Sequence, residues 1–179
     1  MQDELTNIKN VLIDGLKFIN NGFANLYLDE TASKYVSLDG KTNVALGIDD
    51  RYANYFYLRS NGNMQVSNGK RLTGCVPTLQ LNDSISLVVN VAKASPDKLL
   101  ECVLNALTIY TKEDFEVTRI YTTNEKVVKS EYAFLGQDAI KQILARLSGR
   151  TLLKIEFTLF KEFQPNPRDC YKCNPCLDC

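Results

Sequence analysis

Leu153-Lys154-Ile155-Glu156-Phe157-Thr158-Leu159 alternates apolar and polar side chains without a break. That period of two is the signature of a β-strand with one face on a core. Residues 151–163 are therefore the clearest strand of the chain. A second alternating stretch lies at 76–91, where Leu79 and Leu81 flank Gln80, and Ile85, Leu87, Val89 and Val91 oppose Ser84, Ser86 and Asn90. It reads as two strands, or as one long strand bent at Asn82-Asp83.

Helical periods surround these strands. Leu5, Ile8, Val11, Leu12, Leu16 and Ile19 recur at three- and four-residue intervals over about 3–20, and Asn20-Asn21-Gly22 ends that stripe. Ser95-Pro96-Asp97 supplies an N-cap, a first-turn proline and a first-turn acid for a helix reaching about Tyr110. Its residues Leu99, Leu100, Cys102, Val103, Leu104, Ala106, Leu107 and Ile109 are apolar on nearly every side, which predicts burial between layers or at a subunit interface. Residues 137–147 form a third helix with a stripe of Ile140, Ile143, Leu144 and Leu147, closed by Gly149.

The remaining segments read as strands and turns. Ala24 to about Leu28, 35–38 and 42–48 are short strands, the last two joined through Asp39-Gly40. Tyr55-Phe56-Tyr57-Leu58-Arg59 is an aromatic strand, followed by Asn-Gly turns and a projecting loop at about 59–74. Residues 115–121 and 126–132 read as two strands about Thr123-Asn124. The expected fold class is thus α+β, an antiparallel β-sheet packed with about three helices. Residues 1–163 form a single domain. Residues 164–179 are a spacer containing Pro165 and Pro167 and a cysteine-rich C-terminal tail.

Composition narrows the function. The 179 residues can build one core, and 21 basic residues balance 21 acidic ones, so the chain lacks the excess positive charge of a dedicated nucleic-acid binder. The first ten residues are polar and partly acidic, which predicts no secretory signal, and no apolar run approaches the roughly 20 residues of a membrane span. There is no histidine, which removes Ser-His-Asp and Cys-His catalysis and every mixed Cys/His zinc site. No catalytic set is visible in what remains, and the chain is expected not to be an enzyme.

The sharpest chemical feature is Cys170-x-x-Cys173-x-x-Cys176-x-x-Cys179, four of the six cysteines at a strict spacing of three. Clustered thiolates hold a soft metal such as zinc, cross-link where the compartment is oxidising, or stay reduced on a solvated tail. The spacing is similar to that of bacterial ferredoxins, but Pro175 lies inside the run and a second cluster motif is missing. The metal candidates are Cys170, Cys173, Cys176 and Cys179, and the cofactor is none or zinc. Cys102, on the most apolar helix, reads as a small core residue, and Cys75 as a packing residue.

Other candidates are weaker. Arg59, Lys70 and Arg71 are the one mildly basic patch and the candidate nucleic-acid-facing loop; the bland alternative is a solvated loop. Aromatic residues beside Arg59 could stack on bases, although a hydrophobic strand has the same letters. The carboxylate pairs Asp49-Asp50, Asp29-Glu30 and Glu113-Asp114 read as solvated turn residues. Gly69-Lys70 lacks the preceding glycine and following helix of a phosphate loop.

The element order, as carried by the helix at 5–19, the strand at 55–59, the strand region 78–91 leading into the helix at 95–110, and the closing strand at 151–163, resembles the small neck, tail-terminator and connector-ring proteins of tailed bacteriophages. The cysteine tail is similar to proteins of phages of gut Bacteroidales, including the crAss-like group. That resemblance implies a structural virion protein, made in the host bacterial cytoplasm. It implies a homo-oligomeric ring between portal and tail, with sheets extended between subunits, adjacent rings as partners, and genomic DNA passing through the channel without sequence-specific binding. No membrane is involved. The alternative is a cytosolic metal-binding (zinc or iron-sulfur) or redox adaptor that works through the four tail cysteines.

Overall fold

The computed structural model describes residues 2–62, 65–68, 79–110 and 114–163. Within them the element order is α1 (Gln2–Gly15), β1 (Asn21–Asp29), β2 (Lys34–Ser37), β3 (Asn43–Ala45), β4 (Tyr55–Ser60), β5 (Gln65–Asn68), β6 (Leu79–Ala92), α2 (Pro96–Tyr110), β7 (Asp114–Tyr121), α3 (Asn124–Glu131), α4 (Gln137–Arg146) and β8 (Arg150–Phe163). The strands form one sheet in the order β3-β2-β1-β4-β6-β8-β7, with β5 pairing β6 beyond the end of β4. The fold is α+β.

The spine of the sheet is the antiparallel pair of β6 and β8, in register from Leu79↔Phe163 to Ala92↔Arg150. Strand β6 runs straight through Asn82 and Asp83, where a bend was expected. Asp83 is buried and accepts a hydrogen bond from Ser60 Oγ at 2.9 Å, which stabilises the polar side chain inside the strand. The expectation of an antiparallel sheet also needs correction. Strand β1 lies parallel to β4 (Asn21↔Tyr55, Phe23↔Tyr57), so the sheet is mixed.

Side-chain alternation sorts the core into two layers. On one face, Phe56 and Leu58 of β4, Ile85, Leu87, Val89 and Val91 of β6, and Leu153, Ile155, Phe157 and Leu159 of β8 pack with Leu5, Ile8 and Leu12 of α1 and Leu99, Val103 and Leu107 of α2. On the other face, Tyr55, Tyr57, Val88 and Leu152 pack with Tyr35 and with Val127, Val128, Tyr132, Ile140 and Leu147 of α3, α4 and their flanks. Beneath α3 and α4 both faces of the central strands are thus covered, although the alternation of β8 suggested one solvated face. Lys154 is only 2% exposed.

The segment read as a strand at 126–132 is helix α3, and the described residues hold four helices rather than three. Thr123 is its N-cap, with the side chain accepting from the Lys126 amide, and Glu125 and Lys129 pair one turn apart. Val127, Val128 and Glu131 share the buried side, a helical stripe that two adjacent valines had disguised as a strand. The Asn124 side chain then bridges to β8, donating to Arg150 O at 2.9 Å and accepting from the Leu152 amide at 2.8 Å.

Helix α1 stops at Gly15 rather than near residue 20, yet Leu16 and Ile19 are buried in the turn that follows. Helix α2 is one-sided: Leu99, Val103, Ala106 and Leu107 are buried, whereas Cys102 is exposed. The core role expected for Cys102 is therefore wrong. The 34–45 hairpin, strand β1 and the left-handed Gly149 (φ 78°) are as expected.

Gly47 joins the two helical and sheet layers on the second face. Its φ is 79°, its amide donates to Tyr132 Oη at 2.7 Å, and an added Cβ would lie 2.7 Å from Ile143 Cγ2. Both the backbone conformation and the space exclude a side chain. Gly47→Ala is expected to cost about 2–4 kcal/mol of unfolding free energy. Gly40→Ala, equally left-handed but with open space around it, is expected to cost about 1 kcal/mol; urea denaturation of both variants measures the difference.

Candidate functional site

The polar residues of the second face form a continuous series of cross-strand rows along β4, β6, β8 and β7. The first rows lie under α3 and are closed to solvent. Because Val127, Val128 and Glu131 share one side of α3, the Glu131 carboxylate enters the sheet beside Tyr57, Arg59 and Lys154. Its Oε1 accepts from Arg59 Nη2 at 2.9 Å and Lys154 Nζ at 2.7 Å. Its Oε2 accepts from Arg59 Nε at 3.2 Å, Tyr35 Oη at 3.0 Å and Tyr57 Oη at 3.3 Å.

The Glu131 side chain is fully buried. Burial alone would raise its pKa, but the charges and hydrogen bonds of Arg59 and Lys154 outweigh that penalty and hold the carboxyl below its ordinary value. Burial likewise pushes Tyr35, Tyr57 and Tyr132 above the ordinary phenol value, with the Glu131 charge adding to the shift. Two cations, Arg59 and Lys154, face two carboxylates, Glu131 and Glu156. The row is neutral within itself.

Ser130 and Lys154 are 2.7 Å apart, a pairing that serves as nucleophile and base in some hydrolases. Here Lys154 Nζ reaches Glu131 and Glu156, each at 2.7 Å, as well as Ser130. Its three donors are committed, and an ammonium has no lone pair with which to take the serine proton. The arrangement anchors α3 to β8.

A second buried group fixes the 45–55 connection. Asp49, read from the sequence as a solvated turn residue, is 3% exposed and is clasped by Arg51 through Nε at 2.8 Å and Nη2 at 2.6 Å. The Arg51 hydrogen bonds hold its pKa at about 2, against the opposing effect of burial. Tyr55 Oη accepts from the Asp49 amide and from Asn90 Nδ2, each at 3.0 Å, and Arg150 Nε donates to Asn90 Oδ1 at 2.6 Å.

Beyond α3 the same face opens. Register places Gln65, Asn82 and Phe160 in one cross-strand row and Ser84, Thr158 and Glu116 in the next. These six side chains line a trough of about 390 Å³. The Asn61 carboxamide braces its floor, donating to Ser84 Oγ at 2.9 Å and accepting from Ser86 Oγ at 3.0 Å. Asn82 Nδ2 donates to Ser67 Oγ at 3.3 Å, while Asn82 Oδ1 is buried without a hydrogen-bond donor among the described residues.

Of the sequence candidates, Arg59 lies in β4 with its guanidinium on Glu131 instead of in a solvated loop, and Lys70 and Arg71 fall outside the described residues. Of the three, only Arg59 is placed by the described residues. Cys75, Cys170, Cys173, Cys176, Cys179 and Glu113 also fall outside the described residues. Among the described residues no three Cys, Asp or Glu side chains are grouped to hold a metal ion, and no helix is long and apolar enough to cross a membrane. Sequence reasoning missed Glu131, Lys154 and the trough; the charged residue within each strong apolar period was the available signal. No protein-family model and no curated protein matches the chain.

Removing one partner of a buried ion pair strands the other. Glu131→Gln is expected to cost about 3–5 kcal/mol near neutral pH. Since the folded-state pKa of Glu131 is lowered, its contribution is present above the unfolded value of 4.5 and is lost as pH falls through the folded value. The difference between wild type and variant should therefore narrow in acid, which denaturant titrations from pH 7 downward measure. At the alkaline end, the raised tyrosine values predict stability falling as pH rises above the ordinary phenol value of 10.0.

Proposed function

We propose that this chain is a non-enzymatic structural subunit of a tailed-phage neck or tail, assembling head to tail into a ring that connects portal and tail around the DNA channel. The observation that carries this reading is the pair of open edges on the far half of the sheet. Strand β3, at the opposite end, is three residues long, and its Asn43 carbonyl already accepts from Arg51 Nη2 at 2.8 Å. Strands β5 and β7 have no further strand beside them among the described residues.

The two edges are compatible with each other. Strand β5 runs antiparallel to β6, β6 to β8 and β8 to β7, so β5 of a second copy in the same orientation meets β7 antiparallel. Val66 pairs with Leu81 and Ile120 with Ile155, which puts both exposed apolar side chains on the α1/α2 face. Val66 is 66% and Ile120 41% exposed. Joining the edges with a stagger of about six residues along the strands would cover both, and the contact is heterologous, the type that closes rings. Portal and adjacent rings are the expected partners, the virion is the expected location, and DNA passes without base-specific contact.

Every such contact needs an intact β5 and an intact β7. Val66→Lys alone and Ile120→Lys alone should each weaken self-association by about tenfold or more. An equimolar mixture should recover a dimer and nothing larger, because only one competent pair of edges remains. Native mass spectrometry of wild type, variants and mixture reads this directly. A wild-type protein that stays monomeric at high concentration would contradict the ring; an assembling wild type whose variants assemble equally well would reject these edges and leave the ring standing.

A further inference from the structure

We infer that the trough on the second sheet face, past α3, is a binding site for a neutral, polyhydroxylated ring of sugar size. This inference goes beyond the ring assembly and does not depend on it. The observations are the trough's dimensions, the kind of groups it presents, and an unsatisfied acceptor in its lining.

Size comes first. Two rows of side chains on neighbouring strands present a footprint of about 7 Å along the strands and about 10 Å across them. That area and the volume of about 390 Å³ accommodate a single pyranose with room for a second. Chemistry narrows the class further. Gln65 and Asn82 are carboxamides, Ser84 and Thr158 hydroxyls, Glu116 a carboxylate and Phe160 an aromatic ring. Carboxamides and hydroxyls both donate and accept, which matches hydroxyl groups on adjacent carbons. An aromatic ring offers a surface for the C–H face of a pyranose. Among the described residues no lysine or arginine lines the trough, and the one charged group there is acidic, which disfavours phosphate, sulfate and carboxylate ligands.

The lining is also braced and incomplete. Asn61 holds Ser84 through its carboxamide, which limits the entropy lost when a ligand binds. Asn82 Oδ1, buried without a donor among the described residues, is the kind of group that costs free energy until it is paired. A ligand hydroxyl reaching that oxygen would supply the missing hydrogen bond.

Saturation-transfer NMR with the full chain tests the assignment, using glucose, N-acetylglucosamine and maltose as neutral probes and glucose 6-phosphate as the anionic one. At least one neutral probe should bind with Kd of about 1–10 mM, and glucose 6-phosphate should bind more weakly than glucose. Phe160→Ala and Thr158→Val should each weaken the neutral ligand by about tenfold, with the far-ultraviolet circular dichroism of both variants unchanged. Should Phe160→Ala disturb the fold, Thr158→Val alone decides. The inference is overturned if none of the three neutral sugars transfers saturation at several times that Kd, if the anionic probe binds best, or if folded variants bind as wild type does.

Discussion

Glu131 sits without solvent between Arg59 and Lys154, and the placement of everything on that face of the sheet follows from it. Its partners come from β2, β4 and β8, the most distant of them 96 residues away in sequence. Desolvating an isolated carboxylate costs several kcal/mol, and two cations with two phenols offset that cost only in one arrangement. A shift of one residue in β8 would turn Lys154 to the α1/α2 face and leave the carboxylate stranded. The network therefore specifies register and helix placement, and contributes to stability only as a complete set.

That lock covers only part of the long strands. Beneath α3 and α4, β6 and β8 have side chains packed on both faces, and polar groups there find partners inside the protein. Past Ser86 and Glu156 the helices of the second face end, and the same strands carry a face lined by carboxamides, hydroxyls and Phe160. They also carry two strand edges, at β5 and β7. One spine thus joins a closed half that fixes geometry to an open half that can meet other molecules. The proposed assembly through the edges and the proposed recognition across the face would use different groups of that open half.

Much of this was legible in the sequence. Alternation located β6 and β8, the turn at Asp39-Gly40 located the first hairpin, and Ser95-Pro96-Asp97 located the start of α2. What escaped follows from the physics of long-range pairing. Lys154 and Glu156 look like solvent-facing members of an amphipathic strand, because nothing local tells that Glu131 waits opposite. Val127-Val128 imitates a strand until the helix of which they form one stripe is placed on the sheet. The parallel pairing of β1 with β4 depends on the crossover between them, and Asp49 is buried only because Arg51 folds back on it. Cys102 misled in the other direction, since a helix with many apolar residues still keeps one side in solvent. The trough needed the register of four strands, which no single segment encodes.

The central claim is that the far half of the sheet, and in particular its β5 and β7 edges, is where copies of this chain meet. Amide hydrogen exchange at dilute and at assembling concentrations tests it most directly, because outward-pointing amides of an edge strand exchange freely until another strand pairs with them. The account predicts that protection rises with concentration in β5 and β7 and stays unchanged in β3. Protection that rises in β3, or on the helical surfaces, with β5 and β7 unaltered would contradict it.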